Sequence, residues 1–169
     1  MRWNEIFEKV THAYLYHGTS PDNAAHIIIS NKLVAYTGHQ NHTIQTTEKH
    51  RDKYNVYGVS LTRNAIFARE WTSDGGVVFV LDQEKLRHRH LIQPFLYYRA
   101  DDTRVDGRRE AEEFVVGLKG ITPLDQYLVE IRIPRKVYDA CCEENAEYDN
   151  PEEDSRYWAL TSHPLLKII

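Results

Sequence analysis

The sequence predicts a single α+β domain, with helices mostly early and five to seven short strands after them. Three observations carry that expectation. Ser20-Pro21-Asp22 is a helix start: Ser20 can cap, Pro21 suits the first helical position, and Asp22 complements the positive helix end. Residues 77–81 form an unbroken β-branched and aromatic run, the pattern of a central strand buried on both faces. Residues 127–133 alternate Leu128, Glu130 and Arg132 with Val129, Ile131 and Ile133, the two-residue period of a strand.

The remaining elements follow in order. Residues 1–12 read as a short amphipathic helix with Trp3, Ile6, Phe7 and Val10 on one face. Residues 13–16 are a strand ending at His17-Gly18-Thr19, and the helix opened by Ser20 runs to about Lys32, burying Ala24 and Ile28. Residues 36–54 are polar and rich in His, Thr and Asn, a long loop of the kind that often carries function. A strand over 57–62 leads into a helix over 63–71 that offers Ala65, Ile66, Ala68 and Trp71 for packing. Asp74-Gly75-Gly76 is a turn, 83–86 a helical turn, and 90–92 a short strand. Residues 99–109 form a charged loop, 113–116 a strand, and 134–142 a helix. Residues 145–154 are acidic and read as mobile, and 155–169 form an element whose type the pattern leaves open.

A chain of 169 residues with 41% hydrophobic and 27% charged residues suits one globular domain. Its net charge of −4 gives no global basic field, so a nucleic-acid partner would need a local patch. The opening Met1-Arg2-Trp3-Asn4-Glu5 lacks a basic stretch followed by an apolar core, and the apolar runs at 77–81 and 165–169 are too short to span a bilayer. The expectation is a cytoplasmic protein with no membrane association. Cys141 and Cys142 are adjacent, which reads as two reduced thiols. His39, His42 and His50 share one loop, but no cysteine or acidic pair nearby completes a tetrahedral set, so no metal is expected.

The chemistry lies in three segments. Leu15-Tyr16-His17-Gly18-Thr19, a strand end followed by a helix reaching Asn31-Lys32-Leu33, resembles the first motif of the ADP-ribosyltransferase superfamily, most closely its poly(ADP-ribose) polymerase branch. Tyr57-Gly58-Val59-Ser60-Leu61-Thr62-Arg63-Asn64, followed by Ala65 and Phe67, resembles the second motif, in a form nearer the Ser-Thr-Ser strand of the bacterial mono-ADP-ribosylating toxins. Arg109-Glu110-Ala111-Glu112-Glu113-Phe114-Val115-Val116 resembles the third, a glutamate at the mouth of a strand. Each motif alone is common; their order and spacing carry the likeness.

The resemblance implies an ADP-ribosyltransferase-like fold, with two packed small, mainly antiparallel sheets and flanking helices. It implies NAD as co-substrate, with cleavage of the nicotinamide–ribose bond through an oxocarbenium-like transition state. On this likeness the Gly18 backbone would bond the nicotinamide amide, with Thr19 beside it, and His17 would bond a ribose hydroxyl of the adenosine half. Tyr57 or Phe67 would stack on nicotinamide. Ser60 would buttress the catalytic glutamate, and Thr62 would support the same strand. Glu113 would bond the 2′-OH of the nicotinamide ribose and stabilise the cation. Glu112 and Glu110, a Glu-x-Glu pair shifted by one from the toxin pattern, rank behind it. The polymerase branch has Tyr where this chain has Ser60, and the toxin branch has Arg where it has His17, so the set is a hybrid.

The implied activity is mono-ADP-ribosylation of a macromolecule, with protein slightly favoured over nucleic acid by the net charge. The implied setting is a bacterial or bacteriophage effector or toxin, whose partner is a host protein or an antitoxin. Two alternatives stand beside it: a catalytically silent module that binds NAD or ADP-ribose, and an RNA 2′-phosphotransferase-like enzyme using Arg63, Arg87 and Arg89. Plainer roles also stand: His17 satisfied by a backbone carbonyl, Ser60 and Thr62 as exposed strand positions, the glutamates as a solvated run, and the basic stretch of Arg87, His88, Arg89 and His90 as a solvated face. The loops 36–54 and 99–109 flank the proposed site and are expected to recognise the target.

Overall fold

The computed structural model describes residues 13–34, 58–70, 72, 76–94, 96–98, 104–106, 112–116 and 119–169. The expectations for residues 1–12, for 36–54, for Asp74-Gly75, for Trp71 and for most of 99–109 lie outside them. The architecture is α+β, as the sequence predicts. Strands β1 (Tyr14–Thr19), β2 (Gly58–Thr62), β3 (Val77–Asp82), β4 (Ile92–Pro94), β7 (Glu112–Val116), β8 (Leu128–Ile133) and β9 (Leu166–Ile168) form a seven-stranded sheet. Its order is β4-β7-β2-β1-β3-β8-β9. All neighbours are antiparallel except β8 and β9, so the sheet is mixed. β5 (Leu96–Tyr98) and β6 (Arg104–Asp106) form a second, two-stranded antiparallel sheet.

The helix after Ser20, α1 (Pro21–Ser30), starts as its sequence demands: the Ser20 hydroxyl accepts the Asn23 N–H at 3.3 Å and Pro21 opens the first turn. It stops at Asn31, which takes a left-handed conformation (φ 50°) while its side-chain oxygen accepts the Asp125 N–H at 2.9 Å. Two short helices follow β2 and β3: α2 (Ala65–Glu70) and α3 (Gln83–Arg87), the latter capped by Asp82. Later come α4 (Arg135–Asn145), α5 (Pro151–Asp154) and α6 (Trp158–Thr161).

The two faces of the sheet differ. Strand alternation sets Leu15, Leu61, Phe79, Leu81, Val115, Ile131 and Ile133 on one face. These are buried, and they join Ala24 and Ala25 of α1, Cys141 of α4 and Leu160 of α6 in one core. The other face carries Tyr16, Gly18, Val78 and Val80, with α2 packed over its middle strands. As expected, β3 is buried along residues 77–81, because β1 pairs with it over six positions and β8 covers its other edge.

Several expectations need correction. The strands divide not into two small sheets of similar size but into a seven-stranded sheet and a two-stranded one. The joint between β2 and β1 is, however, a single registered pair, Tyr16 and Thr62, which divides the sheet into parts of three and four strands. Among the described residues nine strands occur, not five to seven; the helix expected over 134–142 is present as α4, and two further short helices, α5 and α6, follow it. Strand β6 falls within the expected loop 99–109. Ile66 does not pack; it is 64% exposed.

The acidic stretch 145–154 is not a loose tail. Asn145 is buried, takes a hydrogen bond from Ser155 Oγ, and donates to Thr161 Oγ1 at 2.8 Å. Arg156 bridges Glu144 and Asp22, each at 3.1 Å, and stacks over the Tyr157 ring. Tyr157 in turn donates its hydroxyl proton to Asp22, and burial with that partner raises its pKa. Residues 155–169 resolve into α6 and β9, the latter parallel to β8 through Ile131 with Leu166 and Ile133 with Ile168. Removing the buried amide leaves two hydroxyls without it. Asn145→Ala is therefore expected to cost about 1–3 kcal/mol in urea denaturation; a loss below about 0.5 kcal/mol would show that this network does not hold the C-terminal third.

Candidate active site

The three chemistry-bearing segments fold onto three neighbouring strands. His17, Gly18 and Thr19 end β1, Ser60 and Thr62 lie in β2, and Glu112 and Glu113 open β7. β2 and β7 are in register, with Thr62 opposite Glu112, Leu61 opposite Glu113 and Ser60 opposite Phe114. Tyr57 and Glu110 lie outside the described residues.

The β1/β2 joint is where these segments meet. Beyond the Tyr16–Thr62 pair no further β1/β2 partners are registered among the described residues. There the Nδ1–H of His17 donates to the Ser60 carbonyl at 3.1 Å. A side chain thus bridges the two strands where the backbone ladder lapses. A carbonyl only accepts, so Nδ1 carries the proton of the neutral ring and Nε2 keeps its lone pair. Burial pushes the His17 pKa below its usual value, and the Ser60 carbonyl opposes that in part. The neutral ring is therefore favoured.

Alternation then sorts the candidates by face. Tyr16 pairs with Thr62 and Thr62 with Glu112, so Ser60, Thr62 and the Glu112 position share the α2 face. Leu15 and His17 share the core face with Leu61 and the Glu113 position. The expected buttressing of Glu113 by Ser60 does not follow from this register, because the two positions lie on opposite faces. By the spacing of neighbouring strands, the His17 and Glu113 positions are about 10 Å apart or more across Leu61.

Thr62 is fully buried, not an exposed strand position, and Ser60 is half-buried. The Thr62 hydroxyl accepts the Asn64 N–H at 3.0 Å, and the Asn64 side-chain oxygen accepts the Ile66 N–H at 2.9 Å, which turns β2 into α2. Phe67 is half-buried on α2.

Gly18 is required for a structural reason. An added Cβ would lie 1.8 Å from the Ala68 carbonyl oxygen, so α2 sits directly on the strand. On the α2 face, then, the space over Gly18 is taken. The neighbours that enforce this are Ala68, which the sequence offers only as a packing residue, and Thr72, which it does not single out.

The basic stretch after α3 is partly engaged elsewhere: Arg89 donates to Gln126 at 2.8 Å and His90 Nε2 lies 3.3 Å from the Tyr127 hydroxyl. A groove of about 200 Å³ lies among Ile27, Ile28, Asn31, Leu124, Asp125, Leu128 and His163. It shares no residue with β1, β2 or β7. Among the described residues no cluster of His, Cys, Asp or Glu is arranged to hold a metal ion, and no helix is long and apolar enough to cross a membrane. The cysteines are free, and burial raises the Cys141 thiol to about 11. No protein-family model matches the chain, and neither a curated protein nor a solved structure matches it.

His17, His90 and His163 all sit below the ordinary value of 6.5, each chiefly through burial. The unfolded chain then takes up their protons first as pH falls, so stability is full above about pH 6.5 and declines below it. The melting temperature is expected to drop between pH 7 and pH 5.5. His17→Asn keeps a donor near the Nδ1 position but does not titrate, so its drop should be shallower. Equal drops in both proteins would remove His17 as a contributor.

Proposed function

We propose that this chain is a mono-ADP-ribosyltransferase that cleaves the nicotinamide–ribose bond of NAD and transfers ADP-ribose to a macromolecule. The observation that carries the reading is the convergence of all three motifs on β1, β2 and β7, with the His17 and Glu113 positions on one face. Segments nearly 100 residues apart in sequence arrive on neighbouring strands, which supports the reading.

The residue types fit NAD. Neutral His17, its Nδ1–H given to Ser60, presents Nε2 as an acceptor for a ribose hydroxyl. Glu113 would accept the 2′-OH of the nicotinamide ribose and place a negative charge beside the anomeric carbon. As the C1′–N bond breaks, its electron pair returns to the pyridinium ring, which leaves as neutral nicotinamide. The acceptor's nucleophile forms the new bond to C1′, and its proton passes to Glu113 acting as base. Because α2 occupies the space over Gly18, this reading takes NAD to approach the strand ends from the side of His17. That choice favours Glu113 over Glu112. The acceptor is proposed to be protein, in keeping with a net charge of −4, and the setting an effector or toxin acting within a cell.

Glu113→Gln preserves size and hydrogen bonding while removing the charge. It is expected to lower kcat for nicotinamide release about 10²–10³-fold with little change in melting temperature, whereas Glu112→Gln stays within about threefold of the parent. The readout is labelled NAD incubated with the protein, alone and with cell lysate, scored for free nicotinamide and for labelled macromolecules. The reverse ranking would move the chemistry to the α2 face. NAD or ADP-ribose binding without nicotinamide release would instead identify a catalytically silent module.

A further inference from the structure

We infer that Thr72 is a positioning residue for NAD, acting through the end of β1; this rests on the transferase reading above. Thr72 stands two residues beyond α2 and joins three pieces of chain. Its hydroxyl accepts the Gly76 N–H at 2.7 Å and donates to the Arg69 carbonyl at 2.8 Å. Its backbone N–H also reaches the Arg69 carbonyl, at 3.3 Å. Gly76, which leads into β3, is buried so close to β1 that an added Cβ would lie 2.2 Å from the Thr19 carbonyl oxygen and 2.7 Å from Thr72 Cβ. On the β1 side, a Cβ on Gly18 would lie 1.8 Å from the Ala68 oxygen and 3.3 Å from the Thr72 methyl.

The two glycines and the threonine therefore form a clasp. α2 is pressed onto Gly18, Gly76 onto Thr19, and the Thr72 hydroxyl ties the end of α2 to the start of β3. Both parts of the side chain matter: the hydroxyl bonds the backbone, and the methyl fills the space left by two missing Cβ atoms. The clasp backs the last residues of β1 from the α2 side. It thereby fixes where His17 and the Gly18 backbone stand toward a ligand on the opposite face. From β2 the support is one ladder pair and the His17–Ser60 bond, which holds the ring but not the Gly18 and Thr19 backbone.

The consequence is a specific kinetic signature. β1 carries contacts made to NAD in the ground state, whereas the charge acting on the transition state belongs to β7. Loosening the clasp is therefore expected to raise KM more than it lowers kcat. Thr72→Val keeps the shape and removes the hydroxyl; Thr72→Ser keeps the hydroxyl and removes the methyl.

The test is nicotinamide release against NAD concentration for the full chain and both variants, with amide hydrogen exchange at Gly76. The expected result is a KM about tenfold higher in Thr72→Val, kcat within about twofold, faster exchange at Gly76, and recovery of most of the KM in Thr72→Ser. An unchanged KM in Thr72→Val despite faster Gly76 exchange overturns the inference. So does a loss of kcat and melting temperature that Thr72→Ser fails to restore, because that marks a purely structural role. A parent chain that neither cleaves nor binds NAD overturns the transferase reading itself, an outcome separate from an active parent that is indifferent to Thr72.

Discussion

Strand β1 is held very unequally on its two sides, and the rest of the molecule is arranged around that inequality. Toward β3 it has six registered partners, from Tyr14 with Asp82 to Thr19 with Val77. Toward β2 it has one, and then an imidazole takes over from the backbone, His17 donating to the Ser60 carbonyl. A ladder that lapses leaves peptide groups that must find partners in side chains, water or ligand. Among the described residues, the β1/β2 joint is the interior strand junction with the fewest registered pairs.

What keeps such a joint from opening is the packing on either face. On the core face α1, α4 and α6 cover Leu15, Leu61, Phe79 and their neighbours, and burial of that apolar surface is the main force holding the two parts of the sheet together. On the other face α2 lies over Gly18 so closely that only glycine fits. The polar groups between the C-terminal helices and α1, Asp22, Glu144, Arg156 and Tyr157, bind the last third of the chain to the start of α1. Half-exposed ion pairs of this kind contribute little each. Their effect is orientation, since they fix the helix whose N-terminus follows directly from His17-Gly18-Thr19.

Much of this was legible in the sequence where local physics decides. The Ser20-Pro21 start of α1, the fully buried run of β3 and the alternation of β8 follow from capping, hydrophobicity and period two, and all are present. What was not legible depends on partners remote in sequence. Residues 145–154 read as acidic and mobile because nothing local reveals that Asn145, at their head, is buried between Ser155 and Thr161, or that 151–154 close into a helical turn. The face on which each glutamate falls is likewise a matter of register between β2 and β7, which no motif encodes. Gly76 looks like a turn residue; that it is there because Thr19 and Thr72 crowd it is visible only once β1 and α2 are folded.

The same dependence on partners dissolves one apparent choice. From sequence, His17 is either a strand-end residue satisfied by a backbone carbonyl or a ligand for ribose, and the two roles look exclusive. They are not, because imidazole has two nitrogens with separate duties. The bond from Nδ1 to Ser60 fixes the tautomer and the ring's orientation, and in doing so it leaves Nε2 as an acceptor of defined direction. Burial that lowers the pKa keeps that lone pair in place at neutral pH. The structural bond and the proposed ribose contact therefore use different atoms of one ring: the bond to Ser60 is what would make the second nitrogen usable, and a residue lacking either nitrogen would serve only one of the two ends.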